Sequence, residues 1–327
     1  MKNWNRFVFI VTMLGMPLAA RPADSIPAGQ APSAAGARPA PTPSVTERSK
    51  MSGVDHAARI QRLQKDFRES WAKSDFRGFL LTEGDSWFDY PVYGDAVNAL
   101  KHLGYKVENV AHFGDTLESM AYQDDQLLRL SEKAADMAQD RKVPRAILLS
   151  AGGNDLIHEF QVYINHHNSN LGPVNAALIE ALFTERLLPA AIHWISAAQE
   201  ISRSNFGKAL PVLVHGYGPP VPDGRGYPIL GLAGPWLKPV FDEKGWPVID
   251  DNRLVMSHLI EILNDRVMQQ LPKYFPDGAV VYVDLRKALP TGGDYKHYWN
   301  DEMHPTPAGF EAVGKIFDVA IQKLATP

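Results

Sequence analysis

Five short apolar runs, spaced along the chain with helical patterns between them, constrain the fold more than any other feature of this sequence. They are FLLTEG (79–84), KVENVAH (106–112), AILLSAGG (146–153), PVLVHGYG (211–218) and AVVYVDL (279–285). The third and fifth are almost wholly apolar, the pattern of strands covered on both faces of a parallel sheet. Amphipathic helix candidates intervene. YGDAVNALKHLG (93–104) stops at Gly104, and TLESMAYQDDQLLRLSEKAADMAQD (116–140) opens on Thr116 as an N-cap. Glu118 and Ser119 follow that threonine, but the Glu or Gln three residues on that would complete a capping box is missing. The stretch 173–204 carries Pro189, which should kink or divide it. Further helices are expected at 251–271 and 307–324. This alternation predicts an α/β fold, a five-stranded parallel sheet with helices on both faces and right-handed crossovers.

The N-terminal residues stand apart from that pattern. Lys2 and Arg6 precede an apolar run, Phe7 to Ala20, which is too short to span a bilayer comfortably and has the length of a signal-peptide core. Residues 1–20 are therefore expected to be a signal peptide, with cleavage after Ala20 or as late as residue 23, although Leu18 stands where a smaller side chain is preferred. An uncleaved anchor is the alternative. Residues 21–50 are an Ala/Pro-rich linker with too few large apolar groups to offset the entropy of ordering. Residues 51–327 are expected to form one domain, and about 275 residues is ample for a core. The expected location is periplasmic or secreted, with no stable membrane span once the signal is cut; a start at Met51 would give a cytoplasmic form.

The absence of cysteine excludes disulfides, thiolate metal sites and cysteine catalysis. Lys plus Arg number 33 against 37 Asp plus Glu, a net charge of −4, and no basic stripe invites nucleic acid or an anionic membrane. One long segment, 218–250, has no regular pattern and is rich in Gly and Pro. Its Trp236, Phe241 and Trp246 suggest a covering loop beside a site, with a plain packing loop as the other reading.

Ligands of parallel α/β sheets gather at the carboxyl ends of the strands. There the first run delivers Gly84, Asp85 and Ser86, the second delivers AHFGDT with Gly114, and the third delivers Gly152, Gly153, Asn154 and Asp155. The fourth delivers HGYGPP, and beyond the fifth a loop leads to NDEMHPTPAGF with Asp301 and His304. A serine hydroxyl is a weak nucleophile unless a base stands beside it and a third group orients that base. Asp301 and His304, three residues apart, can point the same way, and Asp284 is a rival for the orienting carboxylate. The amides of Ser86 and Gly114 and the side chain of Asn154 can face an oxyanion, with a plain strand-ending turn as the bland reading of Gly-Gly-Asn-Asp. Asp85 is expected to brace its own turn, and His215 to be a satisfied core or rim histidine.

With GDSW at Ser86, HFGDT at Gly114, GGND at Asn154 and DEMHP at Asp301 and His304, in that order, the chain resembles the SGNH, or GDSL-type, hydrolase family. The resemblance spans roughly residues 79–325 and departs from the usual motif at Trp87, where Leu is common. It implies a three-layer α/β/α flavodoxin-like fold and a serine esterase working through an acyl-enzyme, with no metal or organic cofactor. Ser86 would be the nucleophile, His304 the base and Asp301 its orienting group. Ser86, Gly114 and Asn154 would form the oxyanion hole. Small acyl or acetyl esters are the expected substrates, on a small-molecule, glycan or lipid alcohol. A lipase or lysophospholipase-type hydrolase, and a non-catalytic binder on the same fold, are the alternatives. Trp87 and Trp236 are candidate substrate contacts and Phe88, Tyr90 and Tyr93 are nearby aromatics, all of which could instead be core.

The Gly-x-Ser-x-Gly elbow is absent because Phe88 stands at its second glycine, and no Walker or dinucleotide glycine pattern follows the first run. The pair His166 and His167, in INHHNSN, reads as a solvated loop ahead of a metal site.

Overall fold

The computed structural model describes residues 76–92, 94–227 and 234–324. The signal-peptide and linker expectations, Met51, Tyr93 and residues 228–233 of the long segment lie outside the described residues. Five parallel strands form one sheet: β1 (Gly78–Gly84), β2 (Tyr105–Asn109), β3 (Pro144–Ser150), β4 (Val212–His215) and β5 (Val280–Val283). Their spatial order is β2-β1-β3-β4-β5. Strand order reverses between β1 and β3, so the crevice at their carboxyl ends is where such a sheet admits a ligand.

Apolar runs fill the middle of the sheet as a parallel arrangement demands. Leu80, Leu81, Ala146, Ile147, Leu148, Val212, Leu213 and Val214 are wholly buried. The fifth run differs from expectation. β5 is an edge strand, and Val281 and Tyr282 are only half-buried. An edge strand lacks a neighbour on one side, so an apolar sequence there does not secure full cover.

Helices α1 (Ala96–His102), α2 (Leu117–Tyr122), α3 (Asp124–Gln139) and α4 (Gly153–His158) follow the first three strands. The single helix expected over 116–140 is broken at Gln123, whose backbone is extended. The α2 start corrects the sequence reading, because its capping box is complete. Ser119, in place of Glu or Gln, accepts the Thr116 N–H at 3.0 Å while Thr116 Oγ1 accepts the Ser119 N–H at 3.0 Å.

The stretch 173–204 divides near Pro189 as its chemistry requires. Helix α5 (Ala176–Glu180) widens into a π-helical segment, Ala181–Leu187, and continues as α6 (Leu188–Phe206) with Pro189 in its first turn. Proline has no N–H to donate, so the register shifts just ahead of it, and the Leu188 N–H reaches back to the Phe183 carbonyl. The chain then passes α7 (Lys238–Glu243), α8 (Ile249–Leu263) and α9 (Pro307–Gln322). Helices α1 and α9 pack together, as do α3 and α6.

The ends of β1 and β3 come unusually close. A Cβ on Gly84 would lie 2.7 Å from both the Ser150 side chain and its carbonyl, so only glycine fits, and the Asp85 N–H can then reach the Ser150 carbonyl at 3.0 Å. Beneath that junction sits Glu83, fully buried, with Oε1 accepting the Gly84 N–H and Oε2 without a partner. Burial pushes its carboxyl up to about 8. Between pH 4.5 and 8 the folded protein thus holds a proton that the unfolded chain releases, so stability falls as pH rises through that window. Unfolding free energies from urea titrations should be larger at pH 5 than at pH 8 in the wild type by on the order of a few kcal/mol, and Glu83→Gln should flatten most of the difference.

Candidate active site

Ser86 lies in the turn that leaves β1, and that turn is held from below by Asp85. The buried Asp85 carboxylate accepts the Trp87 N–H at 3.0 Å, the Ser150 hydroxyl at 2.8 Å and the Tyr217 hydroxyl. Its own carbonyl accepts the Phe88 and Asp89 N–H groups. Burial raises this carboxyl to about 6, against the lowering effect of its donors. The brace expected of Asp85 therefore reaches further than its own turn, through Ser150 to β3 and through Tyr217 to the segment after β4.

His304 comes to Ser86 from the other end of the chain. Its Nε2 lies 2.8 Å from Ser86 Oγ, and its Nδ1 lies 2.9 and 3.0 Å from the two oxygens of Asp301. An ionised carboxylate can only accept, so Nδ1 carries the proton and Nε2 is the atom left to accept from the serine hydroxyl. Asp301 is wholly buried and also accepts the Met303 N–H, the His304 N–H and the Tyr90 hydroxyl at 2.8, 2.8 and 2.9 Å. Burial pushes its carboxyl up, but the His304 ring, helped by the Met303 and His304 amides, outweighs it and holds the group below the ordinary carboxylate range. Asp284, the rival carboxylate, faces Arg286 at 2.6 Å instead.

Tyr90 carries no motif, yet it touches two of the three residues. Its ring stacks on His304 with centroids 4.5 Å apart and planes at 19°, while its hydroxyl bonds Asp301 and accepts from Asn300 Nδ2 at 2.8 Å. Burial and the adjacent carboxylate raise its hydroxyl well above the ordinary tyrosine value, so it remains a donor. It lies four positions after Ser86, and only the fold of the loop brings it to His304 and Asp301.

The other two donor candidates lie in the loops after two more strands. The His112 N–H continues the β2 ladder to the Gly84 carbonyl at 2.9 Å, and Gly114 follows two residues on. Gly114 has φ +88°, and an added Cβ there would meet nothing within 4 Å, so its backbone conformation and not crowding calls for glycine. Asn154, at the start of α4, donates from Nδ2 to the Asp115 carbonyl at 2.8 Å, which joins the loops after β2 and β3 and leaves a second N–H on the same nitrogen. Asp155 reinforces the junction by accepting the Leu117 and Glu118 N–H groups at 2.8 and 3.2 Å.

Ser86, Asn154 and His304 line a cavity of about 40 Å³ whose remaining walls include Leu156, Ile157, Met256, Ile260 and Met303. Trp87 touches it but is only 4% exposed. Its indole N–H donates to the Met303 carbonyl at 3.1 Å and its ring stacks with His215, so it chiefly fastens the serine turn to the histidine loop. Trp236 stands edge-on to His304, with centroids 5.5 Å apart. His215 is fully buried, with Nδ1 3.2 Å from the Gly216 carbonyl and Nε2 unpartnered, and burial lowers it to about 4, a neutral core histidine. Among the described residues there is no group of three or more acids, histidines or cysteines placed to hold a metal ion, and no helix long and apolar enough to cross a membrane. A serine hydroxyl hydrogen-bonded to a carboxylate-oriented imidazole is an arrangement that can attack an acyl carbon.

The profile of the GDSL-like lipase/acylhydrolase family matches residues 81–317. No curated protein matches the chain in sequence. Among solved structures, a GDSL-like lipase from Bacteroides thetaiotaomicron is 16% identical, covering 76% of this chain and 89% of its own, with a TM-score of 0.41. An acetylxylan esterase from Geobacillus stearothermophilus is 14% identical, covering 76% and 96%, with a TM-score of 0.38.

The hydrogen-bond chain from Tyr90 through Asp301 and His304 to Ser86 predicts a graded loss of serine reactivity. Labelling of Ser86 by a fluorophosphonate, followed by mass spectrometry, should slow about tenfold in Tyr90→Phe, which keeps the stack and loses the bond to a charged group. It should slow by about 10²–10⁴-fold in Asp301→Asn, whose amide cannot accept from every donor around it.

Proposed function

Because the chain belongs to the GDSL-like lipase/acylhydrolase family, we propose that it is a carboxylic ester hydrolase acting through Ser86, His304 and Asp301. The observation that carries this reading is the unbroken relay from Ser86 Oγ to His304 Nε2 at 2.8 Å and from Nδ1 to Asp301 at 2.9 Å. Ser86 Oγ attacks the ester carbonyl carbon as its proton passes to His304 Nε2. The carbonyl oxygen becomes an oxyanion facing the Ser86 and Gly114 amides and the free N–H of Asn154 Nδ2. The C–O bond to the alcohol breaks, the alcohol leaves with the proton from Nε2, and an acyl-Ser86 ester remains. Water, losing a proton to Nε2, then releases the acid and restores the serine. Asp301 holds the imidazolium in each half of the cycle and stays ionised throughout.

The acyl group is short. The cavity beside Ser86 is small, about 40 Å³, with Met256 and Ile260 among its walls, which favours a short acyl group such as acetyl or propionyl. That supports a small-acyl esterase over a lipase or lysophospholipase-type enzyme. We also place the protein outside the cytoplasm, on the strength of Lys2, Arg6 and the apolar run Phe7 to Ala20.

The wild type should cleave 4-nitrophenyl acetate, and folded Ser86→Ala should lose at least about 10³-fold of that rate. Wild-type turnover by Ser86→Ala would overturn the assignment, and an unlabelled Ser86 in folded protein would favour a binding role. Across 4-nitrophenyl esters, kcat/KM should fall at least about tenfold from acetate to octanoate, and Ile260→Ala should recover part of that loss.

A further inference from the structure

Glu302 lies between Asp301 and His304 in the chain, and its side chain serves a different partner. Its carboxylate is wholly buried, and the donors it meets are backbone N–H groups of the Gly/Pro-rich segment that follows β4. Oε1 accepts from Gly224 at 3.0 Å and Lys238 at 2.9 Å, while Oε2 accepts from Trp236 at 2.6 Å and Leu237 at 2.7 Å. Helix α7 has no side-chain cap of its own, so these bonds also satisfy its first amides. Main-chain bonds run beside them, from the Val221 N–H to the Glu302 carbonyl at 3.0 Å and from the Glu302 N–H to the Arg225 carbonyl at 3.3 Å. Arg225 closes the join by donating to the carbonyls of Trp299 and Asn300 at 2.7 and 3.0 Å.

A buried carboxylate satisfied by four amides, one from Gly224 and three from 236–238, fixes both of those stretches in place. What the segment delivers is Trp236, half-buried and edge-on to His304. In ester cleavage His304 hands its proton to the departing alcohol, and of the two rings against the imidazole Tyr90 is buried while Trp236 is part-exposed, so Trp236 is the one open to a leaving group. The cavity taken as the acyl side is walled by α4 and α8 together with Tyr217, Gly218 and Pro220 from the start of that segment, and Trp236 is not among its walls. We propose that Glu302 is a positioning residue that holds the segment after β4 on the histidine loop and, through Trp236, sets how the alcohol half of the ester is bound. This rests on the ester-hydrolase reading given above.

The test is a double-mutant cycle on 4-nitrophenyl acetate with Glu302→Gln, Trp236→Ala and the pair. Glutamine keeps the shape but has one accepting oxygen for four donors. Each single variant should raise KM about fivefold with kcat within about twofold, and the pair should be no worse than Trp236→Ala alone. For ethyl acetate, whose alcohol is too small to reach the tryptophan, each variant should change KM less than about twofold. Unchanged KM in folded Glu302→Gln would overturn the proposal, as would effects that multiply in the pair. If Glu302→Gln does not fold, Glu302→Asp takes its place, since it retracts the charge by one methylene, and the same expectations apply. Wild-type turnover that depends on Ser86, together with multiplying effects, removes the role of Glu302 alone. A wild type with neither turnover nor labelling at Ser86 removes the hydrolase reading and this inference with it.

Discussion

A carboxylate without solvent has to find all its donors in the protein, and the arrangement of this molecule turns on how Asp301 does so. It takes two amides from its own loop, a ring N–H from His304 and a hydroxyl from Tyr90. Leaving such a charge unpaired would cost several kcal/mol, so the loop, the histidine tautomer and the tyrosine are fixed together. Fixing the tautomer leaves Nε2 to accept from Ser86, so the hydrogen bonding of that serine depends on the satisfaction of an acid two residues removed from it in the relay.

Asp301 is one of several buried acids at this end of the sheet, and each fastens the loop of one strand to that of another. Asp85 links the turn after β1 to Ser150 of β3 and Tyr217 after β4. Asp155 links the turn after β3 to the start of α2. Glu302 links the C-terminal loop to the segment after β4. A chain without disulfides thus ties irregular loops with carboxylates that backbone amides and hydroxyls satisfy. Each such tie demands complete donors, which makes the geometry stiff where a catalytic arrangement has to be. Glu83 is the exception, with one oxygen unpartnered, and it sits below the site and not within it.

Much of this was legible in the sequence because of the periodicity of a parallel sheet. Apolar runs give the strands, strand ends give the crevice, and Ser86, Asn154 and the Asp301–His304 pair lie where those rules gather polar groups. Other features depend on how loops fold back, which local pattern does not encode. Tyr90 looked like one aromatic among several near Ser86, and only a turn stacks it on His304. Glu302 was hidden between two residues that carried a motif. Trp87 could be read as a binding surface or as core, since strand-end aromatics serve both ends, and its 4% exposure sets it against its neighbours more than against a ligand. The capping box was missed because its pattern is written for Glu or Gln, whereas Ser119 is long enough to close it here.

The bond between Ser86 and His304 joins residues 218 positions apart, and nearly the whole sheet is threaded between them. Parallel strands earn their pairing late, since each waits for a crossover to return the chain. On a chain made from its N-terminus, the serine turn therefore exists long before its base, and the base arrives only just ahead of α9. Every shorter intermediate lacks the bond between Ser86 and His304. On the ester-hydrolase reading, the connectivity itself would act as a safeguard, withholding the base from the serine until the last strand has been laid down.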